Sequence, residues 1–188
     1  EDLEKIKKSK AKIKSSFVFG NEYYYQTKDF VSLSNRNFRK AINKFKKNYN
    51  FKIKEKYPKN KILSFLEKWK TTQKEQNILF DTSHESEIFC INKCDKIKGK
   101  WLFIEVDNKL AAYCLSYQLN EDFWVGIHAK ADYKCKGISR FLLHRRASQF
   151  PNTKLFSLGC QARDKGIQEF KESLHPIKKI NRHYIVTE

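Results

Sequence analysis

The sequence predicts an α/β fold, a mixed sheet built on a central antiparallel meander and flanked by helices. Three observations predict it. Apolar runs at 100–107 (KWLFIEVD), 109–119 (KLAAYCLSYQL) and 122–129 (DFWVGIHA) are separated by turn residues at Asp107-Asn108 and Asn120-Glu121, which makes an antiparallel meander. Next comes a short basic loop, Tyr133-Lys134-Cys135-Lys136-Gly137, that opens a helix with Ile138, Phe141, Leu142, Leu143, Ala147 and Phe150 on one apolar stripe. The strands and helices around this centre follow neither the regular alternation of a doubly wound sheet nor the strand-only order of a sandwich.

In chain order, Glu1 to Lys14 is charge-dense with few large apolar residues and is expected to be a frayed helix or solvated tail. From Phe17 to Leu33 the aromatic and β-branched content predicts extended chain. Ser34 or Asn35 caps the next helix. Its Phe38, Ile42, Phe45 and Tyr49 recur at helical spacing, while Arg36, Arg39, Lys40, Lys44 and Lys47 fill the other sides. Residues 51–57 alternate apolar and charged, as a half-buried strand does. Pro58 opens a helix with Ile62, Leu63, Leu66 and Trp69 facing inward, and another helix is expected over His84–Cys94. After the central loop and helix, Pro151-Asn152 turns the chain into KLFSLG (154–159), a buried strand. A helix over Asp164–Leu174 follows, stopped by Pro176, and residues 177–186 form a last strand.

At 188 residues, 40% of them hydrophobic, the chain suits one domain or one domain with an extension. A net charge of +18 favours polyanionic partners such as nucleic acid, anionic lipid heads or phosphorylated carriers. A lysine-rich solvated surface would give the same number. The five cysteines show no CxxC pair and no zinc-ligand spacing, so reduced thiols and no metal are expected. No apolar run approaches the roughly 20 residues that span a bilayer. The expected location is cytoplasmic, or at the inner face of a membrane. The first residue is Glu1 and methionine is absent throughout, which reads as a fragment or processed chain.

The element order, with a basic loop after the third meander strand, resembles the Gcn5-related N-acetyltransferase (GNAT) fold. In that family the loop reads Arg/Gln-x-x-Gly-x-Gly/Ala and holds a coenzyme A pyrophosphate. Here Lys134-Cys135-Lys136-Gly137-Ile138-Ser139 keeps the central glycine, with Lys first and Ser last. The ending Gly166-Ile167-Gln168-Glu169-Phe170-Lys171-Glu172-Ser173-Leu174-His175-Pro176 is similar to the G-hydrophobic-x-x-x-K-x-S-aromatic-x-P ending of the phosphatidylglycerol lysyltransferase C-terminal domain family, with Leu174 in the aromatic place. Asn21 to Tyr49 also resembles the entry segment of that family. The resemblance implies residues 1–16 as a charged tail, 17–55 as a linking strand with a basic helix, and 56–188 as a GNAT-like acyltransferase domain. It further implies an aminoacyl-tRNA donor and an amine or hydroxyl acceptor on a lipid, peptide or small molecule.

Acyl transfer needs a held donor, a polarised carbonyl and a route for the acceptor's proton. The resemblance places the polarising backbone at Val125, Gly126 and Ile127. Lys134, Lys136, Gly137, Ser139 and Arg140 would hold the donor's anionic part at a helix start, where amides lack internal partners. Gly137 would let a phosphate approach the backbone closely. Arg36, Arg39, Lys40, Lys44 and Lys47 offer a polyanion surface. His128, Asp122 and Lys171 are the candidate catalytic groups, set against the plainer readings of a structural histidine, a turn former and an exposed helix lysine. Cys160 and Tyr184 are weaker candidates near the same cleft. No cofactor beyond the donor is required. Two other readings stay open: an acetyl-coenzyme A-dependent N-acetyltransferase, and a non-catalytic basic domain that binds RNA or anionic lipid.

Overall fold

The computed structural model describes residues 13–75, 84–161 and 165–187. Residues 1–12 of the expected N-terminal tail lie outside them, and residues 13–16 belong to the first strand rather than to a frayed helix or tail. The described strands are β1 (Ile13–Gln26), β2 (Phe51–Lys54), β3 (Lys100–Val106), β4 (Lys109–Asn120), β5 (Phe123–Ala131), β6 (Leu155–Gln161) and β7 (Lys178–Thr187). The described helices are α1 (Thr27–Val31), α2 (Arg36–Asn48), α3 (Lys59–Glu75), α4 (His84–Asn92), α5 (Ile138–Ala147) and α6 (Lys165–Glu172).

The strands form one sheet in the order β2-β3-β4-β5-β6-β1-β7. The meander β3-β4-β5 is antiparallel as expected, and Asp107 and Asn108 take the left-handed conformation that its first two-residue turn requires. β5 and β6 pair in parallel, with α5 as the crossover. β1 inserts between β6 and β7, antiparallel to both. Residues 17–55 and 56–188 therefore contribute strands to the same sheet.

The extended chain expected to Leu33 ends sooner, at Gln26. Thr27–Val31 is a helical turn because Phe30 is drawn into the core, edge-on to Tyr25, Phe38 and Phe156. The strand expected over 51–57 is confined to Phe51–Lys54. Asn35, not Ser34, caps α2, its side chain accepting the Phe38 amide at 2.9 Å.

Two apolar layers sandwich the sheet. On one face α1, α2 and α5 bury Phe30, Phe38, Ile42, Phe45, Phe141 and Leu142. On the other, α3 and α4 bury Ile62, Leu66 and Ile91 against Trp101, Phe103, Tyr113 and Leu115.

β5 changes face partway along. Trp124 stacks on Phe150 and Phe156, in the α5 layer. Lys130, an even number of residues later, instead meets Glu87 of α4 at 3.2 Å and the Trp69 ring of α3. Strand alternation keeps even separations on one face, so a residue must be inserted. It is Ile127: Leu115 pairs with His128 but Ser116 with Gly126, a β-bulge.

Candidate active site at the parting of two strands

β5 and β6 pair only at Phe123–Leu155, Trp124–Phe156 and Val125–Ser157. Past these pairs, β5 stays with β4 and β6 with β1, which opens a gap between two parallel strands. β6 is also irregular here. Tyr24 pairs with Ser157 and Glu22 with Cys160, so β6 carries an extra residue beside Gly159, whose φ is +79°. Both strands thus bulge where they separate.

A buried cation from the helix after each strand fastens its bulge. Arg146 of α5 donates to the carbonyls of Leu115 and His128 and to Ser116 Oγ. Lys171 of α6 donates through Nζ to the carbonyls of Gly159 at 2.8 Å and Leu158 at 3.3 Å. Only 6% of Lys171 is exposed. Burial pushes its pKa down to about 8, against the opposing pull of Cys160 and Glu22. The Tyr25 hydroxyl fixes its backbone by donating to the Lys171 carbonyl at 3.0 Å. Lys171 is therefore no exposed helix lysine.

Val125, Gly126, Ile127 and His128 stand where β5 leaves β6. Ile127 is 46% exposed, while the His128 side chain is buried. The bulge turns it to the face that carries Leu115, its pairing partner. Asp122 does not reach the gap. It precedes the paired end of the strands, where its carbonyl accepts the Lys154 and Leu155 amides and its carboxylate pairs with Lys154 at 3.1 Å. A turn former's duties account for it. Cys160 lies by the gap, but burial raises its thiol pKa, so it is not an activated thiolate.

The loop from Asp132 to Gly137 leads from the free end of β5 into α5. The Lys134 amide donates to Asp132 Oδ1 at 2.9 Å and the Lys136 amide to Tyr49 Oη at 3.1 Å. Tyr49 returns its hydroxyl proton to the Lys134 carbonyl. Gly137 begins α5 with φ +93°, and a methyl group there would stand 2.6 Å from the Ala41 carbonyl oxygen. The side of Gly137 that lacks a side chain therefore faces α2, not an incoming phosphate as the sequence had suggested. The Lys134, Lys136 and Ser139 side chains are exposed. Arg140 bridges to α6, donating to Ser173 Oγ at 3.4 Å with its guanidinium over the Phe170 ring. The first turn of α5 and the Lys171–Ser173 end of α6 are thereby tied together.

On α2, Arg36, Arg39, Lys40, Lys44 and Lys47 are exposed, and Arg39 donates to the Leu33 carbonyl at 2.8 Å. Tyr184 is exposed on β7, stacked on Phe17. Among the described residues no cluster of three or more His, Cys, Asp or Glu side chains is placed to hold a metal ion. The five cysteines are free thiols. No described helix is long and apolar enough to cross a membrane.

Sequence reasoning singled out Lys171 through a motif but missed Arg146, although a signal for it was present. Arg146 lies four residues from both Leu142 and Phe150, on the apolar stripe where a charge is out of place.

A mixed sheet whose parallel strands part beside a basic loop and helix start is the fold that the resemblance to acyltransferases implied. The family model for phosphatidylglycerol lysyltransferase, C-terminal, matches residues 10–184, and the chain belongs to that family. Among solved structures, a conserved protein of unknown function from Bacteroides thetaiotaomicron matches with a TM-score of 0.81 at 17% identity, over 99% of this chain and 65% of that one. The L-PGS of Bacillus licheniformis matches with a TM-score of 0.61 at 14% identity, over 90% of this chain and 60% of that one. A FemX structure gives 0.66 at 10% identity, over 98% and 68%. These likenesses show the fold. The chain spans 65% and 60% of the length of the first two. No curated protein matches the sequence significantly.

Proposed function

We propose that this domain moves an aminoacyl group from a charged tRNA to an amine or hydroxyl acceptor on a lipid, peptide or small molecule. The observation that carries the reading is Lys171, buried against the parting strands, which the resemblance sets at the lysine of the family's ending.

In this reading the aminoacyl ester enters the gap with its carbonyl against the backbone of Val125, Gly126 and Ile127. Lys134, Lys136, Ser139 and Arg140 hold the anionic tRNA terminus at the start of α5, where the helix dipole and the cationic side chains favour negative charge. Gly137 contributes backbone only. The exposed cations of α2 meet the tRNA backbone farther out. The acceptor's lone pair attacks the carbonyl carbon, and the C–O bond to the terminal ribose breaks. The acceptor's proton ends on the ribose oxygen. Lys171, with a pKa of about 8, exists in both protonation states near neutrality. It is suited to take the acceptor's proton and return it to the leaving oxygen. His128 is kept as a support of the β5 edge, and Asp122 has no part in proton transfer. The domain needs no cofactor besides its donor.

The test is to incubate the purified chain with a full set of charged tRNAs and candidate acceptors, beside an arm with acetyl-coenzyme A. Aminoacyl transfer that Lys171→Met abolishes supports the proposal. Transfer only from acetyl-coenzyme A reassigns the domain as an N-acetyltransferase. Salt-sensitive RNA or anionic-vesicle binding without transfer makes it a binding module.

A further inference from the structure

Arg146 is a buried cation, 4% exposed, and its partners among the described residues are neutral. Nε donates to Ser116 Oγ at 2.6 Å, Nη2 to the carbonyls of Leu115 and His128, and the guanidinium lies 5.7 Å from the centre of the Trp124 ring. Burial lowers its pKa, and only the Cys114 thiol opposes that shift. A charge removed from water without a counter-charge is costly, and such cations are usually paired. Among the described residues the Arg146 positive charge therefore meets no counter-charge, and it sits against the bulge. A methyl group on Gly126 would stand 2.6 Å from the guanidinium. Leu115 and His128 are the pair on one side of Ile127, and Ser116 and Gly126 the pair on the other. One side chain thus clasps both ends of the bulge.

We propose that Arg146 is a positioning residue for acyl transfer. It holds the bulge that directs β5 away from β6, and it places a bare positive charge behind the Gly126–Ile127 backbone that faces the acyl carbonyl. The first role follows from geometry alone. The second rests on the acyl-transfer reading. The carbonyl oxygen gains negative charge only as the bond to the acceptor forms, so a fixed cation behind it favours the transition state over the bound ester. Its loss should appear in kcat and leave KM nearly unchanged.

The experiment compares wild type with Arg146→Lys, Arg146→Gln and Arg146→Met, and with Ser116→Ala, which removes one partner and leaves the charge in place. Amide hydrogen exchange over 125–128 reads the bulge, and transfer kinetics with charged tRNA read the charge. Exchange should quicken by about tenfold or more in the Gln and Met variants. In both, kcat should fall roughly tenfold or more at similar KM, and Arg146→Lys should recover much of the loss. Ser116→Ala should retain near-normal kcat. Unchanged exchange in folded Gln and Met variants overturns the clasp. A Gln variant as active as the Lys variant, or a loss confined to KM, overturns the charge role. Should the Met variant fail to fold, the Lys–Gln comparison decides both points. A wild-type chain that transfers nothing removes the acyl-transfer reading and the charge role with it, while the exchange rates still decide the clasp.

Discussion

Gly159 faces the carbonyl of Gly126 across the point where β5 and β6 part, so that a methyl group on Gly159 would lie 3.8 Å from that oxygen. The contact is ordinary van der Waals packing, so an added methyl meets no clash. The cost lies in the backbone, because φ of +79° is a conformation that side chains disfavour. Gly159→Ala should therefore lower stability by about 1–2 kcal/mol in urea unfolding. Because its carbonyl holds Lys171, the same change should slow transfer beyond what the stability loss explains. Full activity in a destabilised Gly159→Ala protein would separate this glycine from the chemistry.

Lys171 makes stability depend on pH with an uncommon sign. Its folded pKa, about 8, is below its ordinary value of 10.5. Between those two values the unfolded chain binds the extra proton, so stability rises with pH. The burial penalty is present in full below the folded pKa and is relieved as pH climbs toward the unfolded one. From about pH 7.5 to about pH 9.5 the wild type should gain about 2 kcal/mol relative to Lys171→Met, whose position 171 does not titrate. Tyrosines with raised pKa values act in the opposite sense only at higher pH and are common to both proteins. Urea melts at the two pH values check the difference. A flat difference would mean that Lys171 stays charged throughout, which also removes it as a proton carrier.

The meander was legible in the sequence because alternation and turn residues such as Asp107-Asn108 are local signals. The one-sided stripe of Phe38, Ile42 and Phe45 was local in the same way. The place of β1 between β6 and β7 was not, since pairing Tyr25 with Phe156 or Tyr23 with Lys179 leaves no trace at short range. A five-residue helix at Thr27–Val31 is too short to show a period. In the site, β5 looked like a plain alternating strand. The bulge at Ile127, which moves His128 to the other face, depends on a side chain from α5. Asp122 and Gly137 were found as residues, but their contacts with Lys154 and with Ala41 are long-range and left no local signal.

Gly137 is constrained twice, by its φ of +93° and by the Ala41 carbonyl 2.6 Å from where a Cβ would stand. Gly137→Ala should therefore cost more than Gly159→Ala, roughly 2–4 kcal/mol, and should loosen α2 against α5. Hydrogen exchange along α2 would report the loosening. An alanine variant with normal stability and selectively lost anion affinity would restore the phosphate-contact role.

Tyr49 joins the basic loop to α2, accepting from the Lys136 amide and donating to the Lys134 carbonyl. Tyr49→Phe removes both bonds and keeps the ring stacked on Phe45, so about 1 kcal/mol of stability should go. The loop it anchors should then hold an anion less well, without any change in net charge. Charge removal should behave differently. Each of Lys134→Gln and Lys136→Gln should lower the slope of log affinity against log salt for tRNA by about one, if each neutralises one phosphate. Arg39→Gln should change the slope less than Lys40→Gln or Lys44→Gln, because the Arg39 guanidinium is already tied to the Leu33 carbonyl. Filter binding at several salt concentrations distinguishes the two behaviours. Tyr49→Phe should shift the line down with its slope intact, and the lysine variants should tilt it. A tilt on removal of the tyrosine hydroxyl would show that the loop's charges reach RNA only when the loop is held in place.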